Sequence, residues 1–146
     1  MKFADEGEAK GCWILDLSSL PEYQKEEKQY QILIKSDGVA TYIAKDIAFA
    51  LRKLGYLTKD FGYDIFEEDP RGDTVYSTNS HPEEKKTKHG FGNYDTAITV
   101  IDNRQLPAQA IVNSAFKLLG IDKKHKQYLP LGYGVVYLTP ETLTKL

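Results

Sequence analysis

Sulfur and long apolar runs are scarce in this 146-residue sequence. Cys12 is the only cysteine, which excludes an internal disulfide and a zinc site built from cysteines and agrees with a reducing compartment. No apolar run approaches the roughly 20 residues of a membrane helix, and residues 1–11 lack the basic and then apolar pattern of a signal peptide. We therefore predict a cytoplasmic protein that does not contact a membrane.

Positive charge is not in excess, and the patterns of several common sites are missing. Acidic residues outnumber basic ones by 21 to 19, so the net charge of −2 gives no general attraction to nucleic acid. Any RNA contact must be local or made by other parts of a longer chain. His81, His89 and His125 lack the short spacing of metal ligands, and we predict no metal site. A glycine-rich phosphate loop and a Gly-x-Ser-x-Gly motif are also absent, which argues against a dinucleotide-binding domain and a hydrolase.

What the sequence does contain is typical of one folded domain, with 41% hydrophobic and 27% charged residues. In the first half, residues 31–36 predict a strand, the Asp-Gly dipeptide at 37–38 a tight turn, and residues 39–43 an antiparallel return strand. A helix should follow from about Ala44 and end at Gly55. Its predicted apolar face consists of Ile47, Ala50, Leu51 and Leu54.

The second half predicts a strand, a helix and a second strand. Residues 67–93 are rich in Pro, Gly, Ser and charge and predict a long flexible surface loop. Residues 96–101 then predict a buried strand, a helix should run from Pro107 to Gly120, and residues 133–138 predict the second strand. The predicted apolar face of this helix consists of Ala108, Ile111, Val112, Ala115 and Leu119. This order predicts an α/β fold, part of a doubly wound parallel sheet with the earlier hairpin as an N-terminal extension.

Two stretches resemble the arginyl-tRNA synthetases, which are class I aminoacyl-tRNA ligases. Residues 35–55, KSDGVATYIAKDIAFALRKLG, are similar to the family motif of Ser-Asp-Gly followed by a Thr, a Tyr and an Asp-Ile-Ala that opens a helix. Residues 91–105, FGNYDTAITVIDNRQ, with the following helix and YGVVYL, are similar to the next block of the same enzymes. The resemblance covers roughly residues 11–146. It implies that residues 1–146 are the second half of a Rossmann-like catalytic domain.

The resemblance also implies an arginine pocket. In the family, the residues that correspond to Tyr42, Asp46 and Gln105 hold the amino acid. Tyr42 and Asp46 are four residues apart and share one face if the chain is helical there, and a carboxylate can accept two parallel hydrogen bonds from a guanidinium. The alternatives are that Asp46 only satisfies the helix end, that Tyr42 only packs against the hairpin, and that Gln105 lies in a solvated loop with Asp102 and Arg104.

The implied activity is that of a longer parent enzyme. That enzyme activates L-arginine with ATP and Mg²⁺ as substrates and attaches it to tRNA, without a prosthetic group. Tyr133, Gly134 and Val135 match the family strand whose backbone approaches the adenine of ATP. The His-x-Gly-His and Lys-Met-Ser-Lys motifs that stabilise the reacting phosphate are not in this sequence, so we expect it to contain no catalytic residue and to be inactive alone.

Two other classes of function stay open at this point. The chain could be a noncatalytic module that binds arginine or a nucleotide and derives from the synthetase fold, or a structural interaction domain without a ligand. Comparing the binding of arginine, lysine and citrulline distinguishes them, because only an arginine pocket requires the charged, planar guanidinium.

Overall fold

A computed structural model describes residues 1–81, 83, 90–121, 125–135, 137 and 139–144. In these residues the chain forms seven strands and three α-helices in a mixed α/β arrangement. The elements are, in order, β1 (Lys2–Phe3), β2 (Trp13–Asp16), β3 (Tyr30–Ile34), α1 (Tyr42–Lys53), β4 (Gly62–Glu68), β5 (Thr74–Asn79), β6 (Thr96–Asp102), α2 (Leu106–Leu118), β7 (Gln127–Tyr133) and α3 (Pro140–Leu143). No helix among the described residues is long and apolar enough to span a membrane.

The first sheet is antiparallel, with the order β1-β2-β3, and leads directly into α1. The predicted turn is present, because the Asp37 carboxylate accepts a hydrogen bond from the Val39 amide at 3.0 Å and Gly38 has a φ of +82°. The predicted return strand over residues 39–43 is wrong, since only Ala40 makes an isolated bridge, to Ile34. The physical reason is the next residue, Thr41, whose hydroxyl accepts a hydrogen bond from the Ala44 amide at 3.4 Å and starts the helix there.

Helix α1 begins two residues earlier than predicted but buries the predicted face. Ile47, Ala50 and Leu54 are buried, and Leu51 is partly buried against the same core. The helix ends where Gly55 takes a φ of +76°, which glycine adopts without steric strain. Its hydrophobic periodicity therefore predicts which face is buried, whereas its first residue depends on the Thr41 cap.

The predicted loop over residues 67–93 is wrong at Glu67 and Glu68, which end β4, and over Thr74–Asn79, which form β5 and pair antiparallel with β4. Asp69 builds the turn between the strands, because its carboxylate accepts hydrogen bonds from the amides of Arg71 at 2.8 Å and Asp73 at 3.0 Å. The hydrogen bond from the Asp73 amide contributes most to lowering the pKa of Asp69 below its ordinary value. β-branched and aromatic residues then continue the chain as a strand. Residues 82 and 84–89 of the predicted loop lie outside the described residues, and its flexibility stays a prediction.

The predicted parallel unit is present, but its second strand was misplaced. Strands β6 and β7 pair in parallel, with α2 between them in the chain, and the register runs from Thr96 opposite Gln127 to Asp102 opposite Tyr133. The predicted strand over residues 133–138 is wrong, because β7 ends at Tyr133; residues 136 and 138 lie outside the described residues. Pro130 and Gly132 interrupt the apolar pattern of β7 and conceal it in the sequence.

The buried face of helix α2 differs from the predicted face at the C-terminal end of the helix. Val112 and Ala115 are buried as predicted, whereas Leu119 is 59% exposed and Phe116 occupies the core in its place. Phe116 contacts Tyr128 of β7 edge to face, with ring centroids 5.9 Å apart. The helix therefore joins β7 to the core by an aromatic contact that its sequence alone did not specify.

One hydrophobic core connects the first sheet, both long helices and the parallel strands. It consists of Leu15, Leu17, Leu33, Ile47, Ala50, Leu54, Ala97, Val112, Ala115, Phe116 and Tyr128. The described residues form three small sheets, of which β1-β2-β3 and β4-β5 are antiparallel and β6-β7 is parallel. The fold is thus mixed α/β, and the predicted doubly wound sheet is not confirmed beyond its one parallel pair.

Candidate functional site

The three predicted arginine-binding residues lie at the start of α1 and just before α2, and two of them, Tyr42 and Gln105, are in contact. Tyr42 and Asp46 lie one turn apart at the start of α1, and Gln105 immediately precedes α2. The Tyr42 hydroxyl donates a hydrogen bond to Gln105 Oε1 at 3.4 Å. A contact this long between two exposed side chains is weak, so a ligand can replace it at small cost. The side chain of Tyr42 is 59% exposed and accessible to such a ligand.

Asp46 is held from the α2 side by a residue that was not predicted. Gln109 donates from Nε2 to Asp46 Oδ2 at 2.8 Å, and its own Oε1 accepts a hydrogen bond from the Tyr128 hydroxyl at 2.7 Å. Gln109 has no exposed surface, and burial raises the pKa of the Tyr128 phenol above its ordinary value. The sequence did contain one signal for this contact, because Gln109 is a polar residue on the helix face that buries Val112 and Phe116.

Asp102 and Arg104 chiefly bind each other at the carboxyl end of β6. The Arg104 guanidinium donates to the Asp102 carboxylate from Nε at 2.9 Å and from Nη2 at 3.0 Å, and the Arg104 amide donates to it at 2.8 Å. These contacts lower the pKa of Asp102 below its ordinary value, mainly through the side-chain hydrogen bond of Arg104. The pair stabilises the short 3₁₀ turn Asn103–Gln105, which delivers Gln105 to Tyr42.

The predicted ATP-contacting residues lie at the same edge of the parallel pair. Tyr133 is the last residue of β7 and stands opposite Asp102, the last residue of β6. Gly134 and Val135 continue beyond the strand, and Val135 is 63% exposed. The carboxyl ends of both strands therefore point toward the side on which Gln105 lies, which is where parallel α/β sheets bind their ligands.

An opening lies beside Asp46, on the surface of α1 that continues toward β4. This groove of about 450 Å³ is lined by Lys45, Asp46, Ala48, Phe49, Arg52, Leu57, Lys59 and Phe61. Lys45, Arg52 and Lys59 carry positive charge, and Arg52 is paired with Asp60 at 2.7 Å. The excess of cationic over anionic lining side chains disfavours a guanidinium in this groove.

No group of three or more His, Cys, Asp or Glu side chains suited to a metal ion occurs in the part of the chain that the structure describes. His89 lies outside that part, while His81 and His125 are within it.

Comparisons with known proteins identify relatives of this chain. No family model matches the chain. The arginine–tRNA ligase of Deinococcus radiodurans is 31% identical over 141 residues, which are 95% of this chain and 22% of that protein. The arginine–tRNA ligase of Pyrococcus abyssi is 33% identical over 129 residues, which are 88% of this chain and 19% of that protein.

A solved structure agrees with these sequence relatives. The arginyl-tRNA synthetase of Thermus thermophilus superposes with a TM-score of 0.68 at 27% identity, over 90% of this chain and 21% of that one. Sequence and fold thus relate the chain to the class of the aminoacyl-tRNA ligases. Within that class, the chain is homologous to one region of the arginyl-tRNA synthetases and spans about one fifth of the length of the relatives it matches. The resemblance predicted from the two motifs is confirmed.

Proposed function

We propose that this chain supplies the arginine-binding part of an arginyl-tRNA synthetase, with Tyr42, Asp46 and Gln105 as the residues that hold the amino acid. The observation that carries the proposal is the contact of Tyr42 with Gln105, which comes from a distant part of the sequence, together with the position of Asp46 one helical turn after Tyr42. Their side chains offer an anionic oxygen pair, an aromatic ring with a hydroxyl, and an amide.

Asp46 is the residue expected to select arginine. The guanidinium is planar, always charged and able to donate two parallel hydrogen bonds to one carboxylate, whereas the ammonium of lysine is a point charge. Citrulline has the shape of arginine but no charge. Asp46 is half-buried, and the hydrogen bond from Gln109 leaves its negative charge in place because an amide is neutral. Arginine should therefore bind more tightly than either analogue.

Tyr42 and Gln105 are proposed to complete the pocket around the charged pair. The exposed Tyr42 ring lies one helical turn before Asp46, so it can cover one side of a guanidinium that is bound to the carboxylate. The Gln105 amide offers both a donor and an acceptor for the polar groups of the amino acid. Opening the 3.4 Å contact between the two side chains would make room for the ligand.

The remaining parts of the reaction belong to the whole enzyme. We infer that it is a cytoplasmic arginine–tRNA ligase that uses ATP with Mg²⁺ and transfers arginine to tRNA. Tyr133, Gly134 and Val135 would contact the adenine through the backbone, and the parallel pair β6-β7 would be part of a wider Rossmann-like sheet. The exposed apolar face of this pair supports a larger domain with a further layer packed on it, because both faces of a parallel sheet are normally covered. It consists of Ile98, Val100, Leu129, Leu131 and Tyr133.

Binding measurements with three ligands test the proposal. Ligand-detected NMR on the 146-residue chain should show binding of arginine and much weaker binding of lysine and citrulline. Asp46→Asn should weaken arginine binding at least roughly tenfold, since it removes the charge that pairs with the guanidinium. The matched control is Glu8→Gln, which also removes one negative charge but in an exposed pair with Lys28. Equal binding of arginine and citrulline would refute the proposal and favour a site that does not read the guanidinium.

A further inference from the structure

Gln109 is a polar side chain in a position that packing alone would fill with an apolar one. It lies on the buried face of α2, has no exposed surface, and shares that face with Val112 and Phe116. Burying an amide is costly unless its donor and acceptor are both satisfied. Here both are satisfied, by Asp46 of α1 on one side and Tyr128 of β7 on the other.

These two hydrogen bonds determine which end of the amide faces Asp46. The Tyr128 hydroxyl has one proton to donate, and it donates that proton to Gln109 Oε1 at 2.7 Å. The Asp46 carboxylate can only accept when it is ionised, so it requires the NH₂ end of Gln109. If the amide were reversed, its oxygen would face the carboxylate and repel it. Asp46 therefore selects the orientation of the amide, and Tyr128 holds the amide in place by donating to the Oε1 that faces it.

We propose that Gln109, held in place by Tyr128, is a positioning residue that keeps the Asp46 carboxylate ready for the guanidinium of arginine; this inference rests on the proposed role of Asp46. A buried neutral donor suits that task better than a lysine or an arginine. A cation at this position would form an ion pair with Asp46 and compete with the charged ligand. The amide fixes the carboxylate while its charge stays available.

The test compares two variants that each remove one tyrosine hydroxyl from a contact with α2. Tyr128→Phe removes the hydroxyl that holds Gln109 Oε1. Tyr23→Phe is the matched control, because the Tyr23 hydroxyl is hydrogen-bonded at 3.1 Å to Ser114 of the same helix, which takes no part in the contact between Gln109 and Asp46. Both variants keep their rings and should fold, and thermal unfolding measures the stability that each loses.

Arginine affinity and the exchange of the Gln109 side-chain amide protons with solvent are the two readouts. We expect Tyr128→Phe to weaken arginine binding about tenfold, which corresponds to about 1.4 kcal/mol, and to accelerate the amide exchange. Tyr23→Phe should change neither, even if it lowers the unfolding temperature as much. Gln109→Met, which preserves length without hydrogen bonds, should weaken arginine binding at least as much as Tyr128→Phe.

The outcomes separate this inference from the proposed function. If the unaltered chain binds no arginine, the proposed function itself fails. If it binds arginine and Tyr128→Phe binds as tightly as Tyr23→Phe, the positioning role is refuted while the arginine pocket stands. A loss of affinity that is equal in both tyrosine variants also refutes it, because the loss would then follow stability rather than the placement of Gln109.

Discussion

Replacing Tyr63 by Phe should alter how the stability of this chain depends on pH above neutrality. Tyr63 of β4 is only 2% exposed, and its hydroxyl donates to Asp60 Oδ1 at 2.7 Å and accepts a hydrogen bond from Arg52 of α1. Burial, followed by the hydrogen bond with Asp60, raises the pKa of Tyr63 from 10.0 to about 12. The cluster ties the C-terminal end of the helix that carries Tyr42 and Asp46 to the β4-β5 hairpin.

The sign of the effect follows from the direction of this shift. In the unfolded chain Tyr63 loses its proton above pH 10, whereas in the folded chain it keeps the proton until about pH 12. The unfolded state binds fewer protons within this window, so the free energy of unfolding falls as the pH rises through it. A pKa difference of about 2 corresponds to about 2 to 3 kcal/mol, all of it present below pH 10 and lost by about pH 12.

Urea unfolding between pH 8 and pH 12 tests this prediction on the unaltered chain and on Tyr63→Phe. At pH 8 the variant should be less stable by roughly 1 to 3 kcal/mol, because Asp60 and Arg52 lose a buried partner. The difference should shrink above pH 10, since Phe has no proton to lose. Tyr133→Phe is the control, because Tyr133 is 47% exposed. Stability curves of the unaltered chain and Tyr63→Phe that stay parallel up to pH 12 would refute the reasoning.

Two further predictions concern the exposed sheet face and the reaction. Leu131→Lys should reduce concentration-dependent self-association in sedimentation velocity, because Leu131 is 58% exposed in the centre of the apolar face of β6-β7. The control Val39→Lys changes a turn residue that is 52% exposed and should leave self-association unchanged. Equal effects of the two variants would argue against this face as the contact surface. The 146-residue chain should show no arginine-dependent exchange between ATP and pyrophosphate, since the motifs that act on the phosphate are not in its sequence; measurable exchange would contradict that assignment.

Local patterns in the sequence were sufficient for α1 and for two of the site residues. The apolar residues of α1 recur with helical period, and residues four apart in a helix share a face, so the proximity of Tyr42 and Asp46 required no tertiary information. The predicted start of α1 is two residues late. The chain can either extend the hairpin or start the helix after Thr41, and the hydrogen bond from the Ala44 amide to the Thr41 hydroxyl favours the helix.

Features that depend on contacts between distant segments could not be predicted in this way. The position of β7 is determined by its register with β6, and Pro130 and Gly132 hide its alternation of buried and exposed residues. The contacts of Gln109 with Asp46 and Tyr128 require α1, α2 and β7 to be packed together. In the sequence, Gln109 is a polar exception on an apolar helix face; in the packed structure, it connects α1, α2 and β7.

The most direct measurement of the central claim is the position of bound arginine. Intermolecular NOEs between isotope-labelled chain and arginine report which protons lie close together. The account predicts NOEs from the δ-methylene protons of arginine to the ring of Tyr42, and loss of the complex in Asp46→Asn. NOEs to Phe49 and Phe61, in the groove on the far side of Asp46, would contradict it, because the guanidinium would then lie outside the space between α1 and α2.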